Sequence, residues 1–247
     1  MHRLDPRVKI TAALFMIASL FIMNNYLGLL AVTLFFGGAL QFSNMGLSYV
    51  FKGLKPVFIV IIITFIIHLF FTPGDVLYNV GPLTITREGL NRAIFMSYRL
   101  LLLIGVSVIL TGTTSPVRLT KGLESLFYPL KKLRVPTSEL ALMVSIALRF
   151  IPTFAMETER IMKAQASRGV NFHAGKFTER VENMLPILVP LFISSFKRAE
   201  DLAIAMEARC YRGGEGRTSL YPFFLAVRDY MALIVIFLYL GVMIALS

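Results

Sequence analysis

From Ile10 to Phe51 the chain runs 42 residues without one charged side chain. A single bilayer-crossing helix needs only about 20 apolar residues, so the run holds more than one. The polar Asn24-Asn25 pair supplies a turn and predicts a tight helical hairpin, 9–23 and 26–42. A third span, rich in isoleucine, fits residues 56–74 between Pro56 and Gly74. A fourth fits 93–111 and carries Arg99 in its first half, and a last fits 224–246. The pattern predicts an all-α polytopic membrane protein with about five transmembrane helices.

Between the fourth and last spans the pattern changes. Pro116 suits the first turn of a helix, and three helical stretches follow at 116–130, 137–168 and 178–211. Pro129 with Lys131–Pro136, and Gly169 with Asn171–Gly175, mark the breaks. Leu140–Met156 and Leu185–Phe196 are apolar, but Arg149, Pro152, Pro186 and Pro190 interrupt them. They are expected to lie along the inner membrane face or beneath the spans. The division is therefore a membrane domain at 1–112, a cytoplasmic helical coupling domain at 113–221, and a final transmembrane helix at 222–247.

Composition agrees: 56% of residues are hydrophobic, 16% charged, and mean hydropathy is +0.72. A soluble surface of this length needs more charge. Cys210, the single cysteine, excludes an intramolecular disulfide and a thiolate metal cluster. No small-residue cleavage site closes the first apolar run, which is expected to stay as a span.

The net charge of +11 changes the picture through its distribution. With the N-terminus inside, the inner segments hold Arg3, Arg7, Lys9, Lys52, Lys55 and the 17 basic residues from Arg118 to Arg228. The outer segments hold only Arg87 and Arg92, offset by Asp75 and Glu88. This bias places the N-terminus in the cytoplasm and the C-terminus outside. The basic surplus is thus a topology signal facing a lipid bilayer, not a nucleic-acid footprint.

One internal repeat stands out. Glu159, Ala164 and Arg168 occupy positions 1, 6 and 10 of a frame that recurs as Glu200, Ala205 and Arg209. Ala166 and Ser167 in one copy, and Ala208 in the other, keep the surroundings slender. A glycine is expected to close each helix, Gly169 in the first and Gly213-Gly214 in the second. A slender helix end bearing a planar cation is suited to enter a groove on another protein and grip a carboxylate or carbonyl.

At these residues the chain resembles the T component of energy-coupling-factor (ECF) transporters, whose two Ala-Arg-Gly signatures end two cytoplasmic coupling helices. Here they read Ser167-Arg168-Gly169 and Ala208-Arg209-Cys210. Leu4-Asp5-Pro6-Arg7-Val8-Lys9, Leu148–Pro152 and Ala164-Gln165 match further stretches. The resemblance implies a prokaryotic cell-membrane subunit that binds two ABC-type ATPase subunits, one arginine helix apiece. It also implies an S component, a small membrane protein that captures the vitamin or transition-metal ion. The chain itself would hold no cofactor, with ATP and magnesium on the partner ATPases.

The residues exclude other readings. No Gly-x-x-x-x-Gly-Lys-Ser/Thr loop occurs, since Gly175-Lys176 runs into Phe177, so the chain is expected to be non-catalytic. A membrane-embedded lipid-processing enzyme wants acids or a metal cluster in the spans. Away from their ends the spans offer only Arg99 and His68. Arg99 is expected to bond to neighbouring carbonyls or to snorkel, and His68 to be satisfied by a neighbouring helix. A stand-alone carrier or channel has no need of two matched arginine helices, and a conventional ABC permease supplies one coupling helix per subunit.

Overall fold

A computed structural model describes residues 4–43, 45–80, 83–129, 136–172, 176–213 and 226–246. Arg3, Lys131–Arg134, Gly175 and Gly214, named above, lie outside the described residues. The chain divides into two compact units, Met1–Leu126 with Pro222–Ser247, and Phe127–Tyr221.

In the first unit, Asp5 opens α1 (Pro6–Ile22), its carboxylate accepting the Arg7 N–H at 2.9 Å with Pro6 at the first helical position. A turn at Met23–Asn25 leads into α2 (Tyr26–Ser43), giving the expected hairpin. The third span starts earlier than the sequence suggests. α3 (Leu47–Leu54) continues through a 3-10 turn at Lys55–Val57 into α4 (Phe58–Phe71), so the apolar stretch extends over Ser48–Phe71. Pro56 lacks an N–H to donate, so the helix tightens there without ending.

A feature absent from the sequence reading follows. Val76–Val80 (β1) and Leu83–Thr86 (β2) pair antiparallel, with Tyr78 opposite Ile85. A lone hairpin is marginal. This one is tied twice at its base: Thr86 Oγ1 donates to the Thr72 carbonyl at 2.8 Å, and Glu88 accepts the Asp75 N–H at 2.7 Å. Thr86 also caps α5 (Arg87–Thr113) by accepting the Gly89 N–H.

α5 is the axis of this unit and packs against α1, α2, α3 and α4. Leu20, Val32 and Leu102 are almost wholly buried along it. Gly105 lets Phe36 of α2 approach: a Cβ there would stand 2.6 Å from the ring. Arg99, on the same helix, donates to the carbonyl of Met23 and, at 3.2 Å, to Asn24 Oδ1, with its guanidinium 4.8 Å from the Phe95 ring centre. It satisfies the C-cap carbonyl of α1, the bond to a neighbouring carbonyl that the sequence predicts. Arg99→Met is expected to destabilise the chain by about 1.5–3 kcal/mol, the worth of charged hydrogen bonds. Thermal unfolding in detergent measures it, and an unchanged midpoint refutes the role.

α6 (Pro116–Phe127) places Gly122 against Ile10 and Pro6 of α1 and falls almost wholly in the first unit. The compact-unit boundary thus comes one helix later than the residue-113 division. α9 (Val227–Leu246) closes the unit, packing on α1 and α2. Asp229 at its start is buried and accepts N–H groups of Asp5 and Ala226, each at 2.8 Å.

The second unit is built on two long helices, α7 (Thr137–Ser167) and α8 (Phe177–Ala208). Each runs unbroken through the prolines read as interruptions, Pro152 in α7 and Pro186 and Pro190 in α8. A proline forfeits one backbone bond, and the rest of a 31- or 32-residue helix holds its course. α7 is therefore long and apolar enough by length and composition to cross a membrane, as are α2, Ser48–Phe71 and α5. The 17-residue α1 falls just short of the length of those four, while α9 has 20 residues.

Candidate functional site

The two copies of the repeat fold into the same local structure. At the end of α7, Arg168 is the C-cap residue, Gly169 adopts a φ of +90°, and the chain doubles back. The Gly169 N–H reaches the Ala166 carbonyl at 2.9 Å and the Val170 N–H the Gln165 carbonyl at 3.1 Å. At the end of α8, Arg209 is the C-cap and Cys210 has a φ of +56°. The Cys210 N–H reaches Glu207 at 2.8 Å and the Tyr211 N–H reaches Met206 at 3.0 Å. Both are Schellman terminations, with bonds from the two residues after the C-cap back to the last turn.

Here one expectation is corrected. The left-handed residue ending the second helix is Cys210, not Gly213-Gly214; Gly213 turns later, with a φ of +89°. The register explains it: Cys210 stands where Gly169 stands, and the termination requires a positive φ there. A side chain in that conformation costs energy that glycine avoids. Cys210→Gly is expected to stabilise the second unit by about 0.5–1 kcal/mol, and Gly169→Ala to destabilise it by at least as much. Hydrogen exchange at the last-turn amides reads both, and equal protection in both variants contradicts the shared termination.

Arg168 and Arg209 are exposed, as are Ser167, Gly169, Ala208 and Cys210 around them and Ala164 and Ala205 one turn back. Ser167 turns its hydroxyl inward to the Lys163 carbonyl at 3.1 Å, so it adds no bulk beside the guanidinium. Lys163 in turn pairs with Glu159 at 2.7 Å. The segment after Gly169 borders an open groove of about 610 Å³ between Met162 and Ala166 on the helix and Val170 and Phe172 on the returning chain. Each copy therefore presents a carbonyl-rich helix end, a planar cation and a small-residue flank.

A second set of residues fixes the helices that carry these ends. Glu157 of α7 accepts from Ser194 Oγ at 2.7 Å through one oxygen and from Arg198 Nη2 at 2.7 Å through the other. The Arg198 guanidinium also lies 5.8 Å from the Phe154 ring centre. Nearer the turn, Asn183 Nδ2 donates to the Asn171 carbonyl at 3.0 Å. Later α7 residues meet earlier α8 residues, so the pair is antiparallel. Arg168 lies 11 residues beyond Glu157, and Arg209 lies 11 beyond Arg198, in the opposite direction. Helical rise separates the arginine ends by up to about 30 Å along the pair. Composition and repeat gave no sign of this clamp. Its one local signal is Ser194 and Arg198 at i and i+4 on a single face.

His68 is half-buried on α4, and among the described residues no three His, Cys, Asp or Glu side chains gather as a metal would require.

Comparison with known proteins bears on this geometry. The cobalt transport protein family, CbiQ, matches residues 1–220. The energy-coupling factor transporter transmembrane protein EcfT of Acidaminococcus fermentans is 53% identical over 222 residues, covering 89% of this chain and 82% of that protein. The EcfT protein of Clostridium kluyveri is 48% identical over 94% of this chain and 86% of its own length. That of Bacillus subtilis is 47% identical over 88% and 82% respectively.

Proposed function

The chain belongs to the family of energy-coupling factor transporter transmembrane proteins, and from that premise we propose that its two arginine-capped helix ends seat on a pair of ABC-type ATPase subunits, one end apiece. The observation that carries this reading is the identical Schellman termination of α7 and α8, each bearing an exposed arginine at its C-cap, at opposite ends of one clamped helix pair. One polypeptide thereby offers two equivalent contacts to two equivalent partners, which suits a single copy above an ATPase dimer.

The mechanism follows from stiffness. When the ATPases close on ATP, each draws its seated helix end. The Glu157–Arg198 contact makes the two ends move as parts of one lever pair instead of bending independently. That movement passes to an S component carrying a vitamin or transition-metal ion. The chain supplies force transmission and no bond chemistry; ATP and magnesium sit on the ATPases. The N-terminus lies in the cytoplasm, the second unit on the same side, and the C-terminus outside, as the positive-inside bias supports.

Purification of the affinity-tagged chain from cells expressing the whole transporter tests the assembly. Two ATPase subunits per chain are expected, with no ATP hydrolysis by the chain alone. Intrinsic turnover, or a complex without ATPases, contradicts the reading.

A further inference from the structure

The first unit contains a half-open cavity of about 790 Å³ between α1, α2, α5 and α9, with exposed Leu34, Phe42 and Val235 at its mouth. Its deep part is apolar, lined by Met16, Phe36, Val106 and Ile236. Its other part is lined by Lys9, Ser43, Thr113 and Arg228, which stand at the start of α1, the end of α2, the end of α5 and the start of α9. In a membrane-spanning helical unit these four termini share one end. Lys9 and Met16 are seven residues apart, so the apolar part reaches about 10 Å further in.

Three observations give this cavity a chemistry. Ser43 is fully buried, yet its Oγ has no hydrogen-bond partner among the described residues. A buried hydroxyl without a partner is costly and marks a missing acceptor or donor. Lys9 is also buried and donates to the Thr113 carbonyl at 3.0 Å and to Thr114 Oγ1 at 3.2 Å; an ammonium has a third hydrogen to give. Arg228 is exposed at the rim, and the neighbouring carboxylate of Asp229 is engaged by the N–H groups of Asp5 and Ala226. One end of the cavity is cationic, with the buried Ser43 hydroxyl behind it, and the interior is apolar.

We propose that this cavity holds one anionic phospholipid of the surrounding bilayer, its acyl chain among Met16, Phe36 and Val106 and its phosphate beside Lys9 and Arg228. The ammonium donates its third hydrogen to a phosphate oxygen, and the guanidinium adds the charge that discriminates an anionic headgroup from a zwitterionic one. An apolar lining alone would accept any lipid chain; the two cations at one end select the headgroup.

Gly38 provides the test. It lines the cavity, and a Cβ built there meets nothing within 4 Å, so the side chain of Gly38→Leu starts in open space, occupies the cavity and favours the helix. The full chain is placed in nanodiscs of phosphatidylcholine and phosphatidylglycerol, and native mass spectrometry counts lipids retained after extraction. Wild type is expected to keep one phosphatidylglycerol, preferred roughly tenfold over phosphatidylcholine, the worth of one charged hydrogen bond. Arg228→Gln is expected to lose the preference and keep one lipid of either kind, and Gly38→Leu to keep neither. Ala232→Leu fills the same space from α9 and serves should Gly38→Leu fail to fold. Equal retention of the two lipids by wild type, undiminished retention in the filled variants, or a second copy of the chain in place of the lipid overturns the proposal.

Discussion

Arg168→Glu combined with Arg209→Glu is expected to abolish both co-purification with the ATPase subunits and substrate uptake. Each reversal replaces a planar donor with a carboxylate at a helix end whose exposed carbonyls already carry partial negative charge. Truncating one partner of a buried charge pair across an interface costs about 2–5 kcal/mol, and reversal adds repulsion. The two sites lie far enough apart for their losses to add, so the double variant loses at least about 4 kcal/mol, roughly three powers of ten in affinity. Folding should survive, because both side chains are exposed and neither holds a side-chain hydrogen bond or ion pair among the described residues. Detergent-solubilised double variant should unfold within about 1 kcal/mol of wild type, the helix-dipole contribution. Arginine-to-lysine changes keep the charge and lose the fork, so they should weaken the complex without abolishing it. A double variant that binds ATPases and transports normally removes these residues from the mechanism.

Breaking the clamp should separate binding from transport. Glu157→Ala leaves Ser194 and Arg198 of α8 without their shared acceptor. The arginine ends, 11 residues away on each helix, keep their local terminations and should still seat on the ATPases. What is lost is the fixed register of the two levers. ATP hydrolysis by the complex is expected to persist while uptake falls several-fold, so substrate moved per ATP hydrolysed drops. Glu157→Gln retains an acceptor for Ser194 and should recover part of the coupling. Unchanged uptake per ATP in Glu157→Ala would show that the clamp carries no force.

Much of this was legible along the chain because the bilayer imposes a coarse rule: a charge-free run must be inside it. The α1–α2 hairpin falls where an uncharged run places it, and α5 and α9 where long apolar runs do. The rule is blind to polarity outside the membrane, so it does not mark the β1–β2 hairpin, although Val76–Val80 and Leu83–Thr86 are rich in β-branched residues. Proline misled in α7 and α8, because one missing N–H is a local loss that a long helix survives. The repeat located both arginines from spacing alone. It did not reveal why a small residue follows each: the positive φ at Gly169 and Cys210 is a backbone demand that composition does not display. The Glu157–Arg198 contact spans 41 positions and becomes visible only once the helices are paired.

The central claim, that both helix ends are buried against ATPases, meets its most direct test in thiol labelling. Cys210 is the chain's single cysteine and is exposed beside Arg209; Ser167→Cys in a Cys210→Ser background reports on the other end. Maleimide should modify both thiols readily in the isolated chain and leave both protected in the purified complex with its ATPases. Labelling of either thiol in that complex at the rate of the free chain would contradict the account.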